Sequence, residues 1–152
     1  MSALRSVRAL KIATEDVNAG PTGPAVPLRA MRVLLVDDNA DVLETMSAVL
    51  ATHGASVRCA DCADEALRQL STSSPDVMIS DLGMPGRDGF DLVREVRLQH
   101  RDMPCLAFTA YGGGDEKARA LAAGFNGFAL KTVEPRALVA LIAAIVPGAT
   151  TR

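Results

Sequence analysis

Five short apolar runs alternate with stretches of helical periodicity between residues 32 and 146. The runs predict strands over 32–37, 56–59, 76–80, 104–108 and 126–129. The intervening stretches predict helices near 40–53, 62–71, 89–99, 113–123 and 134–146. Short apolar runs bounded by polar residues are typical of strands buried on both faces, as in a parallel sheet. The alternation therefore restricts the chain to an α/β architecture.

Strict strand–helix alternation gives parallel strands joined by right-handed crossovers, with helices on both faces of the sheet. We therefore predict a doubly wound, flavodoxin-like fold with five parallel strands in the order 2-1-3-4-5 and five helices. Gly54 and Gly124 suit the position that follows a helix, and Pro135 suits a first helical turn. In this order strands 1 and 3 lie side by side.

The first thirty residues differ in composition from the rest of the chain. Residues 20–27 contain three prolines and two glycines, which is typical of a linker. Residues 2–17 have the apolar spacing of a short basic amphipathic helix, too short to be stable alone. We predict an N-terminal extension or linker over 1–30, a folded domain over 31–147 and a short tail over 148–152.

Composition argues against two classes of partner. Residues 31–152 carry a net charge of −4, and the chain has no Trp and 3% aromatic residues. An acidic domain with few aromatic side chains is a poor binder of nucleic acid. No apolar run approaches the roughly 18 residues that a membrane span requires, and no signal-peptide core begins the chain. We expect a cytoplasmic protein that binds neither nucleic acid nor membranes.

Cys59 and Cys62 have the spacing of a redox pair or of half a zinc site. No second pair and no nearby histidine support a metal, and three cysteines are an odd number for a disulfide framework. Ordinary reduced cysteines are the favoured interpretation.

Polar residues follow four of the predicted strands. Asp37 and Asp38 end strand 1, Asp81 ends strand 3, Thr109 follows strand 4 and Lys131 follows strand 5. Ligands bind beyond the carboxyl ends of strands in open α/β sheets. Three carboxylates there would repel one another unless a cation lies among them, although Asp is also common in turns and at helix N-caps. Phosphoryl transfer requires a divalent cation, a nucleophile such as a carboxylate, and hydrogen-bond donors for the oxygens of the transferred phosphoryl group.

Residues 32–146 resemble the receiver domain of two-component response regulators. The matching motifs are Val36-Asp37-Asp38, the segment from Asp81 to Gly89, Thr109-Ala110, and Lys131. The resemblance implies that Asp81 is the phosphoacceptor and that Mg²⁺, or Mn²⁺, is the cofactor. It implies that Asp38 binds the metal directly and Asp37 largely through metal-bound water. Asp81 and the Gly83 backbone carbonyl complete the implied set of metal ligands.

The resemblance also implies a switch. Lys131 would pair with the phosphoryl group, Thr109 would move to hydrogen-bond it, and Phe128 would move inward with Thr109. Such contacts shift a population between two arrangements of the loops. In this family, the surface formed by the fourth helix, fifth strand and fifth helix changes on phosphorylation and is recognised by partners.

The resemblance also implies the partners. The phosphoryl donor would be a histidine kinase or a histidine phosphotransfer protein, and the target of the signal would be a protein partner or the domain's own kinase. A homodimer through the same face is left open. The only chemistry implied is the domain's own phosphorylation and dephosphorylation, so we do not expect an enzyme acting on other substrates.

Three positions are expected to tune the site. Thr132 stands where the family usually has proline, often after a cis bond, and a cis bond before a non-proline residue costs about 2.5–4 kcal/mol. We hypothesise that the Lys131 side chain is less well directed at the site, and that phosphorylation or its switching is therefore weaker than is usual in the family. Gly83 and Tyr111 occupy positions that modulate hydrolysis in the family, and we expect a slowly hydrolysed phosphoryl group.

Three alternatives remain. The chain is a receiver segment of a hybrid histidine kinase, or a phosphorylation-impaired receiver acting as a binding module. A phosphatase of the haloacid-dehalogenase type needs a second Asp two residues after its nucleophile, and Gly83 stands there instead.

Overall fold

A five-stranded parallel sheet forms the centre of the computed structural model, which describes residues 28–110 and 112–147. The strands are β1 (Arg32–Val36), β2 (Ser56–Ala60), β3 (Val77–Ser80), β4 (Cys105–Thr109) and β5 (Gly127–Leu130). Their spatial order is β2-β1-β3-β4-β5, and each neighbouring pair is parallel. The predicted fold class and strand order are confirmed.

Five helices connect or follow the strands: α1 (Ala40–Thr52), α2 (Ala63–Thr72), α3 (Gly89–Gln99), α4 (Glu116–Ala123) and α5 (Pro135–Ile145). The fourth helix begins three residues later than the sequence pattern predicted. Glycine is unfavourable inside a helix, and Gly112 to Gly114 precede the start. The Glu116 N–H donates to the Gly113 carbonyl at 2.8 Å, which forms a turn before the helix.

The sheet separates two apolar cores, because successive side chains of a strand point to opposite faces. Leu34 and Val36 of β1 pack with α2, α3 and α4, whereas Val33 and Leu35 pack with α1 and α5. Both faces are covered, so the strands of the sheet centre are apolar throughout, as the sequence pattern indicated.

The packed chain extends further toward the N-terminus than the predicted boundary at residue 31. Leu28 is buried in the core beside α1 and α5, and the Ala30 N–H donates to the Gly54 carbonyl at 3.1 Å. Gly54 has φ +99°, and a Cβ there would lie 3.0 Å from the Cα of Arg29. Residues 28–30 therefore lie against the end of α1, which a linker-like composition did not reveal. Residues 1–27 and 148–152 lie outside the described residues.

All three cysteines are free thiols. Cys59 is exposed, with its Sγ 3.1 Å from the Ser47 Oγ of α1, and Cys62 is the N-cap of α2. Cys105 is fully buried in β4. Within the two described ranges, no helix combines the length and apolar character that crossing a membrane requires.

The three thiols are expected to differ in reactivity. Burial raises the pKa of the Cys105 thiol to about 11, partly offset by the nearby Arg97 guanidinium. Near pH 8 this thiol stays protonated and enclosed, and the thiolate is the reactive species. Iodoacetamide should label Cys59 and Cys62 in the native protein and Cys105 only after denaturation, as read by intact mass and peptide mapping. Equal labelling of Cys105 and Cys62 in the native state would contradict this expectation.

Candidate functional site

Three carboxylates lie together where β1 and β3 end. These strands pair in parallel with Val36 beside Ser80, so Asp37 and Asp81 leave the sheet at the same level. The Asp81 N–H donates to the Val36 carbonyl at 2.9 Å, which extends the pairing to the acidic residue. Ligand oxygens of Asp37, Asp38 and Asp81 all lie within 4.8 Å of one another. The adjacency predicted from strand order therefore brings the three side chains together.

Asp37 is the most enclosed member of this cluster, at 1% exposure. Its Oδ1 accepts a hydrogen bond from the Asn39 N–H at 2.9 Å. Its Oδ2 lies 2.6 Å from the Nζ of Lys131 but has no hydrogen bond of acceptable direction. The ammonium therefore neutralises this oxygen as a close ion pair. Buried carboxylates require compensation of this kind, because desolvation of an isolated charge is costly.

Asp81 is also buried, and its two oxygens have different surroundings. The Leu82 N–H donates to Oδ1 at 2.8 Å, which fixes the orientation of the carboxylate. Oδ2 lies 3.4 Å from the Lys131 Nζ. One oxygen is therefore held by the backbone, while the other faces the lysine that β5 contributes.

Lys131 reaches both buried carboxylates although Thr132 follows it. No cis peptide bond occurs among the described residues, so the Lys131–Thr132 bond is trans. The Lys131 N–H donates to the Thr109 carbonyl at 2.8 Å, and the Val133 N–H donates to the Leu130 carbonyl at 2.9 Å. These bonds hold the turn after β5, so a trans bond is compatible with an ammonium directed at Asp37 and Asp81.

The loop from β3 to α3 is held against the site by close backbone packing. Leu82 and Met84 are buried, whereas Gly83 between them is exposed. A Cβ at Gly89 would lie only 2.2 Å from the Asp81 carbonyl oxygen, so only glycine allows α3 to begin this close to the loop. Asp88 then caps α3 through a reciprocal pair of hydrogen bonds with Asp91.

Asn39 is a contributor that the sequence pattern did not single out. Its side chain caps α1 by accepting from the N–H groups of Asp41 and Val42, at 2.9 and 3.2 Å. Its own N–H binds Asp37, so the start of α1 and the orientation of the buried carboxylate are coupled. An Asn directly before a helical pattern is a typical N-cap signal and could have identified this residue.

The remaining predicted residues occupy different positions. Thr109 is buried at the end of β4, where it pairs with Leu130, the residue before Lys131. Phe128 is buried in the core beneath α2, α3 and α4. Thr132 is exposed. Tyr111 lies outside the described residues.

The carboxylate cluster fits a divalent cation. Hard cations such as Mg²⁺ prefer oxygen ligands, and all three side chains supply carboxylate oxygens. The Asp37 Oδ2 is buried and makes no hydrogen bond of acceptable direction, and Asp38 is exposed enough to admit an ion with its water ligands. Within the described part of the chain this is the one group of three or more acidic, His or Cys side chains with such spacing.

Comparisons with known proteins give a consistent result. The family model of the response regulator receiver domain matches residues 33–143. A 14.6 kDa protein encoded in the sodA1 3′ region of Leptolyngbya boryana is 37% identical over 117 residues, which cover 76% of this chain and 89% of that protein. The two-component response regulator PhoP of Pseudomonas aeruginosa is 34% identical, over 76% of this chain and 52% of PhoP. This chain therefore spans about half the length of that regulator.

One solved structure extends the comparison to three dimensions. The chemotaxis protein CheY4 of Vibrio cholerae matches with a TM-score of 0.73 and 30% identity. The match covers 77% of this chain and 99% of the CheY4 chain.

Substitution of Gly89 by alanine should destabilise the domain. Its Cβ would overlap the Asp81 carbonyl, and forced repacking of this kind costs roughly 1–3 kcal/mol. Urea unfolding followed by circular dichroism measures the difference. Gly83→Ala is the matched control, because no atom lies within 4 Å of its Cβ, and it should change stability by less than about 0.5 kcal/mol. Equal effects of the two substitutions would refute the packing argument.

Removal of the Lys131 ammonium should strengthen divalent-cation binding. Lys131 lies 2.6 Å from the Asp37 Oδ2, so it competes with a metal ion for the same charge. We expect Lys131→Met to lower the Kd for Mg²⁺ or Mn²⁺ about three- to tenfold, measured by calorimetry, since tenfold corresponds to about 1.4 kcal/mol. Arg101→Met removes a positive charge from the exposed α3–β4 loop and should leave the Kd unchanged. Weaker metal binding in Lys131→Met would contradict the competition.

Proposed function

This chain belongs to the family of response regulator receiver domains of two-component systems, and on that premise we propose that it accepts a phosphoryl group on Asp81. The observation that supports this most directly is the arrangement of the Asp81 carboxylate. Backbone contact fixes Oδ1, Oδ2 faces Lys131, and two further carboxylates lie close enough to share a cation.

The proposed step is attack by a carboxylate oxygen of Asp81 on phosphorus. The new P–O bond gives an acyl phosphate, while the P–N bond to the donor histidine breaks and the imidazole leaves. Mg²⁺, or Mn²⁺ in its place, would neutralise charge on the transferred group. Asp37, Asp38, Asp81 and the Gly83 carbonyl would hold the cation. Lys131 would bind a phosphoryl oxygen, exchanging its contact with Asp37 for a contact with the product.

The proposed output is a shift between two arrangements of the domain. The phosphoryl group, with charge near −2, offers contacts to Lys131 and to the Thr109 hydroxyl that the unmodified domain lacks. Phe128 packs in the adjacent strand and would move with Thr109. Such differential contacts bias the surface of α4, β5 and α5 toward a form that binds a protein partner or a second copy.

The donor would be a histidine kinase or a histidine phosphotransfer protein, and the target a downstream protein or the kinase itself. Thr132, Gly83 and Tyr111 would set the rates of phosphorylation and of hydrolysis. The exposed positions of Gly83 and Thr132 are compatible with such a role, because neither is required by the core.

Incubation with acetyl phosphate and Mg²⁺, followed by intact-mass measurement, tests the chemistry. The wild-type protein should gain the mass of one phosphoryl group, whereas Asp81→Asn should gain none because an amide is not a nucleophile here. Asp102→Asn, in the exposed α3–β4 loop, is the matched control and should be modified like the wild type. Chelation of the cation should abolish the gain.

Two results would contradict the proposal. Phosphorylation of Asp81→Asn at the wild-type rate would place the acceptor elsewhere. An unmodified wild-type protein, with both acetyl phosphate and a phosphorylated kinase as donors, would favour a receiver that acts only as a binding module.

A further inference from the structure

A groove between α3 and α4 lies apart from the carboxylate cluster. Its volume is about 380 Å³, and it is lined by Phe90, Arg94, Arg119, Ala122 and Ala123. The lining therefore combines an apolar floor with two arginines, one from each helix, and includes no carboxylate. Such a combination is complementary to a ligand that is both acidic and partly apolar.

The Arg119 guanidinium is positioned by an aromatic ring. It lies 4.5 Å from the centroid of the Phe90 ring, a distance at which cation–π attraction operates. Phe90 itself is buried and follows Gly89, so the ring belongs to the rigid start of α3. One of the two cationic groups is thus held in place before any ligand arrives.

The two arginines differ in how firmly they pair with a neighbouring acid. Arg94 is 62% exposed and lies 3.6 Å from the 49% exposed Asp91, and an exposed pair of this kind contributes little to stability. Arg119 is 61% exposed and donates to Glu116 at 3.4 Å, and Glu116 is only 19% exposed. A guanidinium has five N–H donors, so a ligand carboxylate can replace Asp91 on Arg94 and can bind Arg119 through donors other than the one that faces Glu116.

An exposed apolar side chain lies one helical turn beyond the groove on α3. Leu98 is 81% exposed, more than any other large hydrophobic side chain in the described ranges. It lies four residues after Arg94, on the same side of the helix, and the exposed Arg101 follows it. A single exposed leucine is ordinary on a protein surface, but this one lies next to Arg94 along the helix.

We propose that this groove docks an acidic amphipathic helix of a partner protein, with carboxylates on Arg94 and Arg119 and an apolar side chain on Leu98. The segment from Phe90 to Leu98 is about 12 Å long, which matches two turns of a bound helix. A polynucleotide fits less well, because residues 31–152 carry a net charge of −4 and Phe90 is buried. The proposal is independent of phosphoryl transfer at Asp81.

Fluorescence anisotropy with the full chain tests the proposal. The probe is a fluorescein-labelled helical peptide of about 16 residues with Glu on one face and Leu along its edge, a length that gives roughly four turns. Arg94→Gln combined with Arg119→Gln should raise the Kd about tenfold or more, and Leu98→Ser about threefold, since arginines that a partner covers often dominate an interface. Circular dichroism confirms that the variants are folded. Arg68→Gln is the matched control, because Arg68 is 67% exposed and pairs with Glu65 three residues away, on α2.

Amide shifts of the ¹⁵N-labelled chain locate the peptide. Shifts confined to α3 and α4 support the proposal, as does failure of a peptide in which Lys replaces Glu. Equal loss of affinity in Arg68→Gln, or shifts centred on another face, would overturn it. Tighter binding of a single-stranded oligonucleotide than of the peptide would also overturn it in favour of a general polyanion surface.

Discussion

Two buried carboxylates, Asp37 and Asp81, must coexist at the carboxyl edge of the sheet, and the geometry around them follows from that requirement. Parallel pairing of β1 with β3 places them side by side, where like charges repel strongly in a poorly solvated environment. Lys131 supplies the compensating charge from β5, at the far side of the sheet order. The neutralisation is incomplete, because one ammonium faces a cluster of three carboxylates. That residual demand is what makes the cluster suitable for a divalent cation.

The helix that follows β3 connects this cluster to the molecular surface. Gly89 lets α3 begin in contact with the Asp81 loop, and Phe90, the next residue, forms the floor of the groove that faces Arg119. One helix therefore participates in both the buried charge cluster and an exposed basic surface. Gly89 and Phe90 are consecutive, so the contact with the Asp81 loop and the contact with Arg119 come from adjacent residues of α3.

The pattern of apolar and polar residues along the chain predicted most of the architecture, because buried parallel strands are apolar throughout and end in polar residues. The features that this pattern did not predict have physical causes. The packing of Leu28 was hidden by a Pro- and Gly-rich neighbourhood, since one buried side chain leaves no periodic signal. The N-cap role of Asn39 could be predicted from its place before the helix, whereas the bond from its N–H to the Asp37 side chain leaves no sequence signal. The Lys131–Thr132 bond is trans, one of the two forms that the sequence left open, and the effect of Thr132 on phosphorylation and switching stays a prediction.

The sequence by itself determined the five strands and the set of polar residues at their ends, because buried parallel strands are apolar runs that end in polar residues. Alternation and right-handed crossovers allow more than one strand order, and the flavodoxin-like order 2-1-3-4-5 is the one that places strands 1 and 3 side by side. Only the tertiary structure decided which charges meet. Lys131 is separated from Asp37 by 94 positions in the chain, and no local pattern specifies that its ammonium lies nearer to Asp37 than to Asp81. The groove between α3 and α4 likewise exists only after folding, since its two arginines come from different helices.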